Sequence, residues 1–402
     1  MAKKSENLEE VDIDAIFDKL DKSFGTYEET KYVKTGLLPF DMVLGSKGIP
    51  LGKMIELASE SGLGKSTIMM QVCKKLCDQG YQCLWIDSEY ASDTDILGKM
   101  GLLEHINSGK FRFYQKNTFS EIEEILDPVL PTKKVHFVVI DSLTNITSLS
   151  RVQSTTYNKE AVSVDKALMA SDARLQSVFL KKYKRMVAEA GCTMFFINQM
   201  RASISMGFSP AGAGGPKHAG GKAVKFNMDA IIDIINVGQI KEKQTILGNE
   251  DNRSIGNNLY LMIKEKSRVC VNNIKVPTAL YKGKGLSSVV TLQLFMEGKK
   301  VDIGGKETPM IKQSKQTFTV SWLGKQESVV GKKALYNLIS MNYDEILSCF
   351  DATDFMLDKD DFDEVKSMSH SDDDVAADLD VDNVVLEEND VDDDGGEADD
   401  FE

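Results

Sequence analysis

A chain of 402 residues is too long for one compact core and predicts about two or three folded units. Its apolar fraction of 42% and charged fraction of 27% are typical of a globular protein in water. No run approaches the roughly 18 apolar residues of a membrane-spanning helix, and the first residues contain no apolar signal segment. The sequence therefore predicts a cytoplasmic protein with no membrane partner.

Charge is divided unevenly along the chain. The whole sequence has a net charge of −14, but residues 351–402 hold 23 of the 62 acidic residues and 2 of the 48 basic ones. Residues 1–350 are therefore basic, with a net charge of +7. A basic body with an acidic tail is typical of nucleic-acid binding, with the tail as a competing polyanion. A tail that only aids solubility fits the charge equally well.

Four regions follow from the pattern of apolar residues. In the arm of residues 1–33, apolar side chains recur at helical spacing between positions 11 and 24, which predicts a helix that packs on its own core or on another subunit. Residues 34–286 alternate apolar runs with helical segments and predict an α/β core around a mostly parallel sheet. We expect a small α+β lobe at 287–350 and a disordered tail at 351–402.

Six apolar runs are the candidate strands of the core. They are KMIELAS (53–59), QCLWIDSE (82–89), KVHFVVIDSL (134–143), CTMFFINQM (192–200), DAIIDIINV (229–237) and NNLYLMIKEKS (257–267). The first four are apolar on both faces, as parallel strands between two layers of helices are. Helical segments such as 66–78 and 166–190 separate them. The last two runs follow each other closely, and we expect them to be antiparallel.

The segment ELASESGLGKST (56–67) has the composition of a phosphate-binding turn between a strand and a helix. Glycines allow backbone N–H groups to converge on phosphate oxygens, and the following helix directs its N-terminal dipole at the anion. Lys65 is expected to bind the β- and γ-phosphates, and the Ser66 hydroxyl to bind Mg²⁺. Ser59 replaces the usual first glycine and fits there if its backbone is not left-handed. The predicted ATP-binding stretch is Ser59, Glu60, Ser61, Gly62, Leu63, Gly64, Lys65, Ser66 and Thr67.

Two further strand ends supply acidic groups. Asp141 follows the run HFVVI, where it can hold the water shell of Mg²⁺ beside Ser66. Glu89 follows LWIDS and is a candidate to orient an attacking water, although a carboxylate that closes a strand is also a common turn former. Because α/β sheets bind ligands at the carboxyl ends of their strands, we expect these groups to meet Lys65 there.

Two segments are candidates for DNA contact. Residues 202–225 contain six glycines, two prolines and no acidic residue. Such a long glycine-rich loop suits a polyphosphate backbone, the alternative being a simple disordered insertion. Residues 148–166 form a second basic loop. The strand before the first loop ends in Asn198-Gln199-Met200-Arg201, and Gln199 is placed to report the γ-phosphate to the loop that starts two residues later. The basic run KKYKR (181–185) is interpreted as a solvated helix face.

Seven motifs together resemble those of the RecA recombinases in order and spacing. They are LDKSFG followed by KTGLLPFDMVLGSKGIPLGKMIELASESGLGKST, then LWIDSEYASD, VVIDS, FINQMR, GGKAVKF, IKEKS and YKGKGL. The resemblance covers about residues 12–350, and the divergence elsewhere is more similar to a phage-encoded RecA-type protein than to a typical bacterial one. It implies a RecA-like P-loop ATPase core, with protomers that form a helical filament on single-stranded DNA and hold ATP at their interfaces.

The resemblance also implies catalytic roles. Lys65 and Ser66 would hold phosphate and Mg²⁺, Asp141 would be the Walker B acid, Glu89 would activate water and Gln199 would sense the γ-phosphate. Two further lysines would reach the neighbouring protomer's ATP and neutralise charge in the transition state. These are Lys264 and Lys266, which from the residues alone are ordinary alternating strand lysines.

Base and DNA contacts are implied in the same way. Asp93 matches a family acid that contacts adenine. Ile96 occupies the position of the family's adenine-stacking tyrosine, and Tyr281 is a candidate to replace that tyrosine. The implied DNA-binding residues are Arg174, Arg201, Lys222, Lys225 and Phe226. The arm of residues 1–33 would dock on the adjacent subunit.

The activity implied is DNA-stimulated ATP hydrolysis with Mg²⁺, homologous pairing of single-stranded DNA with duplex DNA, and strand exchange in recombination and repair. An ssDNA-binding protein and a mediator would be accessory partners. Two alternatives stay open. A hexameric helicase-type ATPase of the same superfamily would share the phosphate site but not the arm or the GGKAVKF loop. A non-catalytic regulatory paralogue would not need Glu89, Gln199, Lys264 and Lys266.

Overall fold

The computed structural model describes residues 12–14, 17–19, 29–148, 164–201, 217–218, 221–246, 249–264, 266–270 and 274–351. The helices are α1 (Leu38–Val43), α2 (Lys65–Asp78), α3 (Thr94–Lys99), α4 (Leu103–Asn107), α5 (Phe119–Val129), α6 (Val164–Ala190), α7 (Gly221–Asn227), α8 (Ser288–Glu297), α9 (Lys332–Met341) and α10 (Tyr343–Leu347). The strands are β1 (Tyr32–Val33), β2 (Ile49–Pro50), β3 (Met54–Ser59), β4 (Cys83–Asp87), β5 (Phe111–Gln115), β6 (Phe137–Asp141), β7 (Thr193–Arg201), β8 (Lys217–His218), β9 (Ala230–Ile246), β10 (Asn249–Ile263), β11 (Ile274–Tyr281), β12 (Gly285–Leu286), β13 (Lys300–Ile303), β14 (Lys306–Pro309), β15 (Ile311–Ser314), β16 (Thr317–Trp322) and β17 (Lys325–Val330).

One large sheet organises the core. Its strand order is β12-β11-β10-β9-β3-β7-β6-β4-β5, and β8 pairs with β7 beside it. The six strands from β9 to β5 are mutually parallel, whereas β10, β11 and β12 form an antiparallel extension. The predicted α/β class with a mostly parallel sheet is confirmed. No helix within the described ranges is long and apolar enough to cross a membrane.

The strands form because their residues are apolar on both faces. Every residue of β3, β4 and β6 is buried. One face of the sheet packs on α2 and forms a first apolar cluster, which includes Ile55 and Trp85. The other face packs on α5 and α6, with Met54 and Val138 in a second cluster. A sheet buried on both sides holds its strand ends rigidly, which is what a site built on those ends requires.

The elements after residue 287 lie against the first of these clusters. Ser287 caps α8, accepting a hydrogen bond from Val290 N at 3.3 Å. Strands β15, β16 and β17 form an antiparallel sheet whose Trp322 is fully buried, and its indole Nε1 donates to Glu345 Oε2 at 3.0 Å. Apolar side chains from this part of the chain, Leu335 among them, continue the cluster that contains α2.

The structure describes only parts of the two termini. Residues 13–14 and 17–19 are helical, in agreement with the apolar pattern of the arm. The two described members of its apolar stripe, Ile13 and Phe17, are 59% and 58% exposed, so the described residues of the same chain do not cover them. The acidic tail lies outside the described residues from position 352 onward, and so do residues 149–163 of the second candidate loop.

The end of β10 contradicts one sequence-based interpretation. The strand stops at Ile263, so Lys264 and Lys266 do not alternate along a strand. The chain turns there because the Ser267 hydroxyl accepts hydrogen bonds from the amides of Val269 and Cys270, at 3.2 and 2.9 Å. Strands β9 and β10 are also longer than the apolar runs indicate, because they continue as a polar two-stranded ribbon.

Two more interpretations are wrong in part. The glycine-rich segment ends in regular structure, since Gly221–Asn227 is the helix α7, anchored by the buried side chains of Val224 and Met228. The run 181–185 is not wholly a solvated face. Tyr183 is fully buried and donates to Asp127 Oδ1 at 2.8 Å, and Lys184 forms an ion pair described below.

Candidate nucleotide-binding site

The turn between β3 and α2 has the backbone shape that phosphate binding requires. Gly62 and Gly64 have φ of +78° and +79°, a conformation that favours glycine. A Cβ at Gly64 would lie 2.3 Å from Leu280 Cδ2, so this position also lacks room for a side chain. Ser59 is the last residue of β3, is fully buried and is not among the residues with positive φ. The condition under which serine fits at this position is therefore met.

The Lys65 side chain folds back onto the start of the turn between β3 and α2. Its ammonium Nζ donates to Ser59 Oγ at 3.1 Å, Ser59 O at 3.3 Å and Glu60 O at 2.9 Å. Burial lowers the pKa of Lys65, while the carboxylates of Asp141 and Glu89 oppose that shift. A phosphate oxygen would replace neutral acceptors by an anionic one, a stronger partner for the same ammonium.

The carboxyl ends of β4 and β6 bring acidic side chains to the same place. Asp87 and Asp141 are directly paired in register. The pKa of Asp141 is raised to about 7, mainly by burial. The charges of Glu89 and Asp87 add to the rise, whereas Ser66 and the charge of Lys65 oppose it. An ionised Asp141 carboxylate is therefore unfavourable until a cation binds beside it.

The donor set fits Mg²⁺. Ser66, the second residue of α2, interacts with the Asp141 carboxyl and lowers its pKa, so a hydroxyl and a carboxylate oxygen lie near each other at the start of α2. Magnesium takes oxygen ligands, keeps several waters and is often bound through one or two carboxylates and substrate phosphates. In the described part of the chain no group of three or more His, Cys, Asp or Glu side chains could hold a metal ion by itself. Bound there, Mg²⁺ would neutralise charge on the phosphate oxygens.

Asp141 also gives a stability test in the absence of nucleotide and Mg²⁺. Its folded-state pKa of about 7 exceeds the ordinary 3.8, so the stability contributed by protonation is present at low pH and is lost as the pH rises through 7. We expect Asp141→Asn to raise the free energy of unfolding at pH 8 by up to about 4 kcal/mol, and by clearly less at pH 5. Urea unfolding at both pH values checks this, and a gain that is equal at pH 5 and pH 8 would contradict it.

Glu89 is held by two side chains. The Ser142 hydroxyl donates to Glu89 Oε1 at 2.6 Å, and Gln199 Nε2 lies 3.4 Å from the same oxygen. Ser142 is fixed in turn, because its backbone N–H donates to Ser88 Oγ at 2.8 Å and its hydroxyl lies 3.0 Å from Thr144 Oγ1. Sequence reasoning missed Ser142, although it directly follows the strand-terminal Asp141.

The other acids at this edge have structural partners. Asp87 accepts hydrogen bonds from the amides of Glu89 and Ser92, at 3.0 and 3.1 Å, and so forms the turn on which Glu89 stands. Asp93 caps α3, accepting from Ile96 N at 2.9 Å, and the Ile96 side chain is 39% exposed. The adenine contact expected of Asp93 stays a prediction.

Comparison with known proteins agrees with this geometry. The model of the RecA N-terminal domain matches residues 13–271. The chain belongs to the RecA family. Its relatives include the protein RecA of Rickettsia canadensis, 29% identical over 275 residues that cover 68% of this chain and 70% of that protein. The protein RecA of Delftia acidovorans is 31% identical over 224 residues, 56% of each chain, and that of Rickettsia africae is 27% identical over 305 residues, 73% of this chain and 79% of its own length.

In this RecA-family chain, Lys264 and Lys266 lie at the edge of the sheet formed by the amino ends of the parallel strands, opposite the edge that carries the cradle, the turn of residues 59–67. Ser267 bridges to Ala230, which pairs with Ile55 near the start of β3, whereas the cradle follows the end of β3. The two edges are separated by the six residues of β3, roughly 16 Å at about 3.3 Å per step. The ammonium of Lys266 donates to the carbonyls of Lys225 and Phe226. The structure therefore does not bring these lysines to the cradle of their own chain.

The residues expected to contact DNA lie on α6, β7 and α7. Arg174 is exposed on α6, Lys225 is exposed on α7, and Phe226 is 68% exposed beside it. Arg201 ends β7 and Lys222 is the second residue of α7, and their side chains lie outside the described part of the structure. Helices α6 and α7 contact each other. Gln199, which touches Glu89, is two residues before Arg201 on the strand that leads into the glycine-rich segment.

Ser142 provides a test of how Glu89 is held. If Glu89 orients the attacking water, we expect Ser142→Ala to lower the maximal ATPase rate by about tenfold, because Glu89 loses one of the two side chains that hold it. The KM for ATP should change less than about twofold, because Lys65 and the glycine turn are unaltered. Steady-state ATPase kinetics measure both quantities, with Ser108→Ala at an exposed helix end as the control. An unchanged maximal rate would show that Glu89 needs no support from Ser142.

Proposed function

We propose that this protein is a DNA-dependent ATPase that forms helical filaments on single-stranded DNA and promotes homologous pairing and strand exchange. The observation that carries the proposal is the separation of the cradle from Lys264 and Lys266 across one sheet. A site completed by a second copy needs head-to-tail contacts, and such contacts generate rings or helical filaments. The exposed Ile13 and Phe17 of the arm support an additional contact between copies.

Hydrolysis follows from the groups at the carboxyl edge. Water attacks the γ-phosphorus while the bond to the β–γ bridging oxygen breaks, and ADP leaves with that electron pair. Glu89, aligned by Ser142 and Gln199, orients the water and accepts its proton. Lys65 stays on the phosphate oxygens throughout. Lys264 and Lys266 of the neighbouring copy offset the charge that develops on the transferred group.

Gln199 connects this chemistry to DNA. It touches Glu89, and its strand leads directly into the segment that ends in α7. A γ-phosphate that draws Gln199 toward itself would shift the start of that segment, and loss of the phosphate would release it. Filaments would therefore hold DNA with ATP bound and loosen after hydrolysis. We also propose that the protein acts in the cytoplasm together with an ssDNA-binding protein and a mediator.

Joint-molecule formation between homologous single-stranded and duplex DNA tests the proposal, together with electron microscopy on single-stranded DNA with a slowly hydrolysed ATP analogue. Long filaments and joint molecules are the expected results. Closed hexamers would favour the helicase-type ATPase. Filament binding without DNA-stimulated hydrolysis would favour the regulatory paralogue.

The acidic tail gives a separate prediction. If residues 351–402 compete with DNA for the basic segments, their deletion should speed loading on duplex DNA severalfold, more at low salt, because added ions screen the competition. Stopped-flow fluorescence on labelled duplex measures loading. A full-length chain with the tail's Asp and Glu changed to Asn and Gln is the matched control and should load like the truncation. Unchanged loading of both would remove this role from the tail.

A further inference from the structure

Two lysines close the C-terminal end of α7. The last carbonyls of a helix have no partner within the helix, and cations are favourable beside them. Lys266 donates to the carbonyls of Lys225 and Phe226, the second at 3.0 Å, and Lys184 of α6 donates to the carbonyl of Asn227 at 2.8 Å. A helix of seven residues is too short to be stable by itself, so these contacts and its buried apolar residues hold it.

Lys184 is itself anchored to the strand that leads to the cradle. Its ammonium lies 2.5 Å from Asp229 Oδ1, and Asp229 Oδ2 accepts the amide N–H of Met54, the first residue of β3, at 2.9 Å. The Asp229 carboxyl is 6% exposed, whereas Lys184 is 31% exposed. Burial lowers the pKa of Lys184, and its bond to Asp229 opposes that shift. A half-buried ion pair with both partners fixed is a rigid attachment point.

The helix that is held in this way carries two residues expected to contact DNA. Lys225 and Phe226 are exposed on α7, while Val224 and Met228 on the same segment are buried. The buried pair fixes one face of the helix, and the lysines fix its end. The direction of Lys225 and Phe226 therefore depends on Lys184 and Lys266, which do not themselves need to touch DNA.

We propose that Lys184 and Lys266 form a clamp on the end of α7 that positions Lys225 and Phe226 for DNA binding. The inference rests on the proposed function and goes beyond it by naming positioning residues for the DNA-facing helix. Lys184 is a better residue to test than Lys266. Lys184 lies at the edge of the sheet opposite the cradle, whereas Lys266 is also expected to contact the neighbour's nucleotide.

The functional test uses the full chain with Lys184→Met, which keeps side-chain length and removes the ammonium. We expect the concentration of single-stranded DNA that gives half-maximal ATPase to rise about tenfold, with the maximal rate within about twofold of wild type. Lys184→Arg should recover most of the loss. Lys181→Met, at an exposed lysine on the same helix, is the matched control for the lost charge. Equal half-saturation in the Lys184→Met and Lys181→Met variants would overturn the proposal.

Hydrogen exchange in the nucleotide-free protein tests the clamp without any activity. The Met228 amide bonds to the Val224 carbonyl at 3.1 Å and reports the end of α7. We expect this amide to exchange roughly tenfold faster in Lys184→Met, and the Cys83 amide, which bonds to the Lys110 carbonyl, to be unchanged. Unchanged exchange at Met228 would overturn the clamp even if the protein is a recombinase. Faster exchange in a protein without DNA-stimulated ATPase would support the clamp and refute the proposed function.

Discussion

Replacing Glu89 by glutamine is expected to lower the maximal rate of DNA-stimulated ATP hydrolysis by about 100-fold or more. Glutamine keeps the shape of the side chain and can still accept from Ser142, but it cannot take a proton from the attacking water. Nucleotide affinity should change less than about twofold, because the proposed phosphate contacts, Lys65 and the glycine turn, are unaltered. The variant should therefore bind ATP, assemble on DNA and stay assembled.

Single-turnover hydrolysis and filament lifetime, measured on the same preparation, separate these effects. Glu104→Gln, at an exposed position on α4, is the matched control and should hydrolyse ATP like the wild type. A Glu89→Gln variant that retains the wild-type rate would assign water activation to another group. A variant that fails to bind nucleotide would show that Glu89 acts on binding instead.

The backbone shape of the glycine turn and the positions of the strand-terminal acids can be read from the sequence because the information for them is local. A phosphate turn needs glycines at left-handed positions and a lysine at the start of a helix, and both requirements fall within a dozen consecutive residues. Asp141 and Glu89 follow apolar runs, so the end of each strand can be read directly. Even Ser59 could be judged, because the condition on its backbone is a single dihedral angle.

Other features depend on pairing between distant residues and could not be read in this way. The polar ends of β9 and β10 are strands because each pairs with the other, not because of their own apolar pattern. Ser142 and Glu89 meet because β4 and β6 are neighbours in the sheet. Lys184 looks like a surface lysine until the fold brings Asp229 beside it. The strand order that produces these contacts is a property of the whole chain.

The position of Lys264 leads to a sharper test of shared sites. Under the proposed function, a Lys65→Ala chain would lack a working cradle, and a Lys264→Ala chain would lack a lysine for its neighbour's nucleotide. We expect each variant alone to lose ATPase activity by about 100-fold or more, as removal of a charge-neutralising group from phosphoryl transfer does. Lys264 is preferred to Lys266 because it leaves the contacts of α7 in place.

Mixing the two variants in equal amounts should restore activity. In a randomly mixed head-to-tail assembly, about one interface in four joins the intact cradle of one variant to the intact lysine of the other, so about a quarter of the wild-type rate is expected. Lys133→Ala, at an exposed lysine, mixed with Lys65→Ala is the control. Its ATPase rate is the highest that the test mixture could reach, because both mixtures have the same share of intact cradles. Since β3 separates Lys264 from its own cradle by a strand length, a site within one chain would give no recovery. A mixture that stays inactive while still forming filaments would exclude sharing through this lysine.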